Sequence, residues 1–218
     1  MVPKGENPAE AGDRTRRRTL RTRRRLLEAA LALFIEKGAD AVTIEQITER
    51  ADVGKGTFYR HFSSKDEVME ALVGQAVEHL VALIGAGEPA HGLDQALVHL
   101  LDVHSKFLKE SANEFALLFQ GRTLIKLERA PEADLGDPYG KYVQALERQL
   151  APFTAPPVDR ARVRRLACAL AEFALGLSAF STLGAAGADV DAAVESLRRV
   201  FVSSMAAFLG HEHSVAHV

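Results

Sequence analysis

Apolar residues recur at spacings of three and four along most of the chain, the rhythm of helices that each bury one face. From Leu20 to Lys37 the stripe is Leu27, Ala30, Leu31 and Phe34, and Gly38 follows as a C-terminal stop that tolerates the left-handed conformation. A second helix is predicted from Thr43, whose hydroxyl can cap it while Gln46 completes a capping box; Ile44, Ile47 and Ala51 form its inner face. A turn at Asp52 and Val53 leads to a third helix over 54–62, with Phe58 and Phe62 turned inward. Ser63 or Ser64 then caps a fourth helix, whose first turn sets Asp66 and Glu67 at the positive helix end. Further helices are predicted at about 65–85, 91–110, 113–129, 138–151, 158–183 and 190–209, with breaks at the glycines and prolines between them. No segment alternates with period two, so the predicted fold class is all-α.

The last two long helices differ from the others. In the first, Val163, Leu166, Leu170, Phe173, Leu177 and Phe180 form one stripe, and Ala167, Ala171, Ala174, Ser178 and Ser181 form a small-residue stripe beside it. In the second, Val190, Val194, Leu197, Phe201, Ser204 and Phe208 repeat the rhythm. A helix with two apolar faces needs more than one partner. Either it is central to its own domain, or the pair meets its copy across a two-fold axis in a four-helix seam. Under the second reading the dimer interface is Val163, Leu166, Ala167, Leu170, Ala174, Leu177, Ser178, Val194, Leu197 and Phe201.

Charge separates the chain into two parts. Residues 1–65 carry 14 Lys+Arg against nine Asp+Glu, and residues 66–218 carry 13 against 20, although the whole chain is only −2. A basic N-terminal module on an acidic body suggests a polyanion partner for the first part alone. Residues 1–18 are expected to be a flexible basic arm, either a solvated tail or a limb reaching DNA phosphates or the minor groove. The apolar run Ala29–Ile35 is too short to span a membrane and no cleavage pattern follows it, so a cytoplasmic protein without a membrane partner is expected. A single cysteine, Cys168, forms no intramolecular disulfide and reads as a buried inert thiol rather than a redox sensor.

Between Val42 and Lys65 the sequence VTIEQITERADVGKGTFYRHFSSK gathers donors suited to DNA. The free N–H groups at 54–57 can meet phosphate or a base edge, and Gly54 and Gly56 offer no side chain to block the approach. Two glycines in one turn of a short helix each cost about 1 kcal/mol of helix propensity, which points to close contact with something outside. Thr57 and His61 share a face, Arg60 can donate in bidentate fashion to guanine or phosphate, and Thr43 and Lys65 stand at helix starts on either side. A polar face in water explains neither the glycines nor Tyr59.

The stretch ALALFIEKGADAVTIEQITERADVGKGTFYRHFSSKDEV resembles the N-terminal domain of the tetracycline-repressor (TetR) family of bacterial transcription regulators over about residues 20–80. The resemblance rests on Lys55-Gly56-Thr57-Phe58-Tyr59, His61-Phe62 and Ser64-Lys65; Asp52 departs from the family's usual glycine and Gly54 from its usual Ser or Thr cap. It implies phosphate contacts from Thr43, Thr57, Tyr59, His61 and Lys65, and base or groove contacts around Lys55, Gly56 and Arg60. It further implies a homodimer on a pseudo-palindromic operator, released by a small-molecule effector, with repression favoured over activation. The implied architecture is a helix-turn-helix domain at 19–65, with the motif at 43–62, a helical-bundle ligand-binding and dimerisation domain at 66–210, and a flexible tail at 211–218.

The effector pocket implied by the resemblance would lie among Phe107, Phe115, Leu118, Phe119, Arg122 and Phe173, whose low polarity favours an apolar or aromatic molecule. His99 and His104 are five apart on a helix and do not converge with Asp102 on a metal. Catalytic motifs are missing, so no enzyme activity, cofactor or metal is expected. The alternative class is a helical small-molecule-binding protein or enzyme retaining a vestigial DNA module, against which the intact donor set of Lys55–Lys65 argues.

Overall fold

Helices make up the regular structure of a computed structural model that describes residues 8–87, 89–120, 138–153, 160–183 and 188–210. The elements are α1 (Pro8–Lys37), a 3-10 turn (Ala39–Ala41), α2 (Ile44–Arg50), α3 (Lys55–Phe58), α4 (Lys65–Gly85), α5 (Leu93–Glu110) and α6 (Ala112–Gln120). After them come α7 (Pro138–Leu150), a second 3-10 turn (Ala151–Phe153), α8 (Arg160–Leu183) and α9 (Ala188–Gly210). Among the described residues there is no strand.

Two expectations about helix limits are corrected. Helix α1 begins at Pro8, not near Leu20, so residues 8–18 are helical where a flexible arm was expected. The cause is local: Pro8 stands in the first position, where its missing N–H costs nothing, and alanine and arginine are strong helix formers. Arg17 pairs with Asp13 at 2.5 Å one turn away, which supports the helix beside Gly12. Helix α3 is a single turn instead of spanning 54–62, and the chain winds on through tight bonds from Arg60 N to Thr57 O (3.2 Å) and His61 N to Phe58 O (2.8 Å). Glycine, threonine and adjacent aromatics are weak helix formers, so the buried rings of Phe58 and Phe62 hold this segment more than its own hydrogen bonds do. The expected tail at 211–218 and the second half of the 113–129 helix lie outside the described residues.

The N-terminal region packs around Leu26, Leu27, Ala30 and Phe34 of α1, Ile47 of α2, and Phe58 and Phe62. Its core runs on without a break into the second region through Val68, Leu72, Ala76 and Leu80 of α4. Helix α4 is apolar and long enough, at 21 residues, to pass as a membrane span by composition, but its apolar face is buried against α1, α5, α6 and α7. Helix α6 touches α1, α4 and α5, so it joins the N-terminal region to the body independently of α4.

The seam expected on α8 is also corrected. Val163, Leu166, Ala167, Leu170, Ala174 and Leu177 are all at most 8% exposed, on a helix that packs against α5, α7 and α9 of the same chain, which leaves them little surface for a partner. The side chain of Ser178 lies outside the described residues. On α9, Val194 and Phe201 are half-buried, with the Phe201 ring stacked on Phe173 at 4.0 Å, while Leu197 is exposed. Arg198 pairs with Asp102 and clips α9 to α5.

Candidate nucleic-acid interface

The sequence folds the helix-turn-helix by a chain of local devices. Thr43 caps α2: its hydroxyl accepts from Gln46 N at 3.3 Å while its own N–H donates to the Gln46 side chain at 3.0 Å, the expected capping box. At the other end Asp52 takes a positive φ of 51°, with Val53 N bonded to Thr48 O and Asp52 N to Glu49 O, both at 3.0 Å. This is the paired-bond stop that glycine usually occupies, and a side chain in that conformation costs roughly 1–2 kcal/mol. Arg25 of α1 grips the Asp52 carboxylate at 3.2 Å, which the sequence pattern did not reveal because the partners are 27 residues apart. Ser64 caps α4 by accepting from Glu67 N at 3.1 Å, and the Glu67 carboxylate takes the Ser63 N–H at 2.6 Å.

Between these fixed ends the segment presents its polar groups outward. Gly54, Lys55, Gly56, Tyr59 and Arg60 are exposed, and Thr57 and His61 are half-buried. Neither glycine has a positive φ, and a Cβ built on either meets nothing within 4 Å. Nothing inside the chain therefore requires glycine at these positions. Tyr59 is 51% exposed, its ring edge-on to buried Phe58 at 5.5 Å, so its hydroxyl end stands clear of the core.

Electrostatics divide the candidate contacts. Lys55 is paired with Glu45, which raises its pKa and lowers that of the glutamate. Both groups are solvent-exposed, so a phosphate can exchange for the carboxylate at little cost. Burial lowers the pKa of His61, helped by Arg23 and Arg60, so the ring is neutral at pH 7 and offers one N–H. Lys65 differs from expectation: its ammonium donates to the carbonyls of Ala39 (2.6 Å), Val42 (2.9 Å) and Asp40 (3.4 Å), tying the turn after α1 to the start of α4. In this arrangement Lys65 fixes the entry to α2 and does not reach outward as a phosphate ligand. Thr43, although engaged as a cap, remains exposed beside it.

The expected effector residues form a packed core. Phe107, Phe115 and Leu118 are at most 4% exposed, with the two rings 6.3 Å apart, and Phe173 stacks on Phe201 instead of joining them. Arg122 and the side chain of Phe119 lie outside the described residues. An open groove of about 570 Å³ occurs elsewhere, between α7 and α8, where Ala151, Ala161 and Val163 lie beside Gln144, Glu147, Arg148, Arg160 and Arg164. His104, fully buried, donates from Nδ1 to Leu100 O and accepts at Nε2 from the Tyr142 hydroxyl, both at 2.6 Å. Burial drives its pKa down to about 4. Both ring nitrogens are thus engaged, and among the described residues no group of three metal-ligating side chains gathers. Cys168 is half-buried where a buried thiol was expected, and this burial raises its pKa.

The geometry is that of a helix-turn-helix module on a helical body, and comparison with known proteins agrees. Residues 26–72 match the family described as bacterial regulatory proteins, tetR family. The HTH-type transcriptional regulator TcmR of Streptomyces glaucescens is 48% identical over 52 residues, 24% of this chain and 23% of that protein. An uncharacterized HTH-type transcriptional regulator of Pseudomonas putida, TtgW, is 33% identical over 105 residues, covering 46% of this chain and 75% of its own length. The solved structure of Salmonella enterica GusR superposes with a TM-score of 0.61 at 22% identity, over 86% of this chain and 96% of that one, which shows a shared fold. The chain belongs to the tetR family of bacterial regulatory proteins. Its match spans about a quarter to a half of the length of the first curated relatives.

Proposed function

We propose that the protein is a DNA-binding transcriptional regulator that reads a pseudo-palindromic operator as a homodimer in the cytoplasm. The observation that carries this reading is the exposed surface of 54–60, where two glycines serve no internal need beside an aromatic residue left half in solvent. Tyr59, Thr57 and His61 would donate to phosphates, while Gly56 lets the backbone and Arg60 approach the base edges. Thr43 would add a phosphate contact, and Lys55 would exchange Glu45 for DNA. Occupancy of a promoter by such a dimer blocks it without further contacts, which favours repression.

The dimer face would lie on α9, where Leu197 (45% exposed) and Val200 (64%) are large apolar residues three apart that stand exposed among the described residues. Val200 lies one turn from Leu197 and outside the interface expected from the sequence. Regulation would pass through α5 and α6. An apolar or aromatic effector that parts Phe107 from Phe115 would displace α6, which is tied to α4 by His79 and Glu114 at 3.0 Å and also packs on α1. A coupling of about 1–3 kcal/mol changes DNA affinity by roughly 5–150-fold.

The test is titration of the full chain with duplexes selected from a random library. Affinity should fall steeply with salt, and Tyr59→Ala should weaken it about tenfold or more without loss of helical signal. Binding that ignores salt, or that survives Tyr59→Ala unchanged, contradicts the proposal. Sedimentation of Leu197→Glu/Val200→Glu, expected to be monomeric, tests the dimer face separately.

A further inference from the structure

The first 13 residues of α1, Pro8 to Leu20, continue the helix away from the core, and the run from 12 to 21 is exposed throughout. Residues 8–25 contain eight arginines against Glu10 and Asp13. At 100° per residue Arg14, Arg18, Arg21 and Arg25 fall within roughly 60° of one another, a stripe about 16 Å long. Arg17 and Arg24 flank it, paired with Asp13 at 2.5 Å and Glu28 at 3.1 Å.

Helix propensity suits arginine to this run but does not account for its same-sign spacing. Like charges three or four apart repel, and 14/18, 17/21 and 21/25 are all such pairs. The exposed run has no apolar face to bury, so it is helical because the buried half of α1 nucleates it. Its inner end is fixed at the recognition segment on both sides. Arg25 holds Asp52 at the turn before α3, and Arg23 lies over the Phe62 ring, 4.8 Å from its centroid, just after it. The stripe therefore starts level with the groove-facing segment and runs outward from it.

We propose that this extension is a second DNA-contacting element, in which Arg14, Arg18 and Arg21 bind backbone phosphates of duplex flanking the base-read half-site. The proposal rests on the DNA-binding reading of 54–60. From Arg14 to Arg21 the stripe runs about 10 Å, roughly three base pairs, so the element lengthens the footprint without adding base specificity. Because the run is helical, it holds its charges at fixed intervals.

The test compares two duplexes carrying a site selected from a random library by the full chain: one trimmed to the minimal site, the other with six to eight extra base pairs of arbitrary sequence at each end. The wild-type protein should prefer the longer duplex by about tenfold, with a steeper salt dependence. Arg14→Ala/Arg18→Ala/Arg21→Ala should bind both duplexes alike, close to the wild-type affinity for the trimmed one, and its log–log salt slope should shrink by about 0.9 per phosphate lost. Alanine is the strongest helix former, so this loss cannot come from melting the helix, and the corresponding triple lysine variant should keep the preference. A wild-type protein indifferent to flanks, or an alanine variant that still prefers them, overturns the proposal. Wild-type protein that binds no duplex overturns instead the underlying assignment of 54–60.

Discussion

The segment from Thr43 to Ser64 and the aromatic core of α5 to α7 are both built on buried rings, yet only the first shows its purpose at the surface. In the first, Phe58 and Phe62 anchor a loop-like turn whose other positions carry residues that packing does not call for: a glycine inside α3, an aspartate with positive φ, and an exposed tyrosine. In the second, Phe107, Phe115, Leu100 and Leu146 are buried in one continuous core, and each is explained by packing alone. Residues that internal packing fails to explain mark a site more sharply than residues of suggestive chemistry.

The largest effect expected separates two neighbours. Phe58→Ala removes a fully buried ring and should cost about 3–5 kcal/mol in denaturant unfolding. Tyr59→Ala, one residue on, should change stability by less than about 1 kcal/mol and act on DNA affinity instead. Equal destabilisation by the two would erase the contrast between core anchor and presented group.

In the second region the polar exception is His104. Its folded pKa of about 4 lies below the unfolded value near 6.5, so the unfolded chain takes up the proton first. Stability from this burial is complete above about pH 7 and is lost as pH falls from 6.5 towards 4, by up to about 3 kcal/mol. Across that window the urea midpoint of wild type should fall on acidification relative to that of His104→Leu/Tyr142→Phe. Parallel curves would mean that His104 is not the group responsible.

The smallest expected change returns to the first region. Asp52→Gly relieves the left-handed strain but loses the Arg25 contact, and should raise stability by about 0.5–1 kcal/mol. A loss of stability would show that the ion pair outweighs the strain.

The helices and the capping box at Thr43 were legible because they depend on residues within four positions of one another. The positive φ at Asp52 was likewise visible as an anomaly in an otherwise familiar motif. What was not legible depended on distant partners: Arg25 holding Asp52, Lys65 turning onto three carbonyls, and α8 facing α5 and α7. Periodicity shows that Leu170 faces something apolar; it does not say whether that is its own chain or a copy. For the same reason Phe107 and Phe115 could be placed inside but not assigned to a ligand. The start of α1 was misplaced because the four arginines of residues 1–18 suggest a solvated arm, whereas their helix propensity is high once a buried turn has nucleated the helix.

The central claim is that 54–60 is shaped for a partner outside the chain, and Gly56→Leu tests it most directly. A Cβ at Gly56 meets open space and leucine favours helix over glycine by about 1 kcal/mol, so the folded protein should be as stable as wild type or slightly more so. Its affinity for a selected duplex, measured at fixed salt, should nevertheless fall at least about tenfold. A stable Gly56→Leu protein that binds the duplex as tightly as wild type would contradict the account.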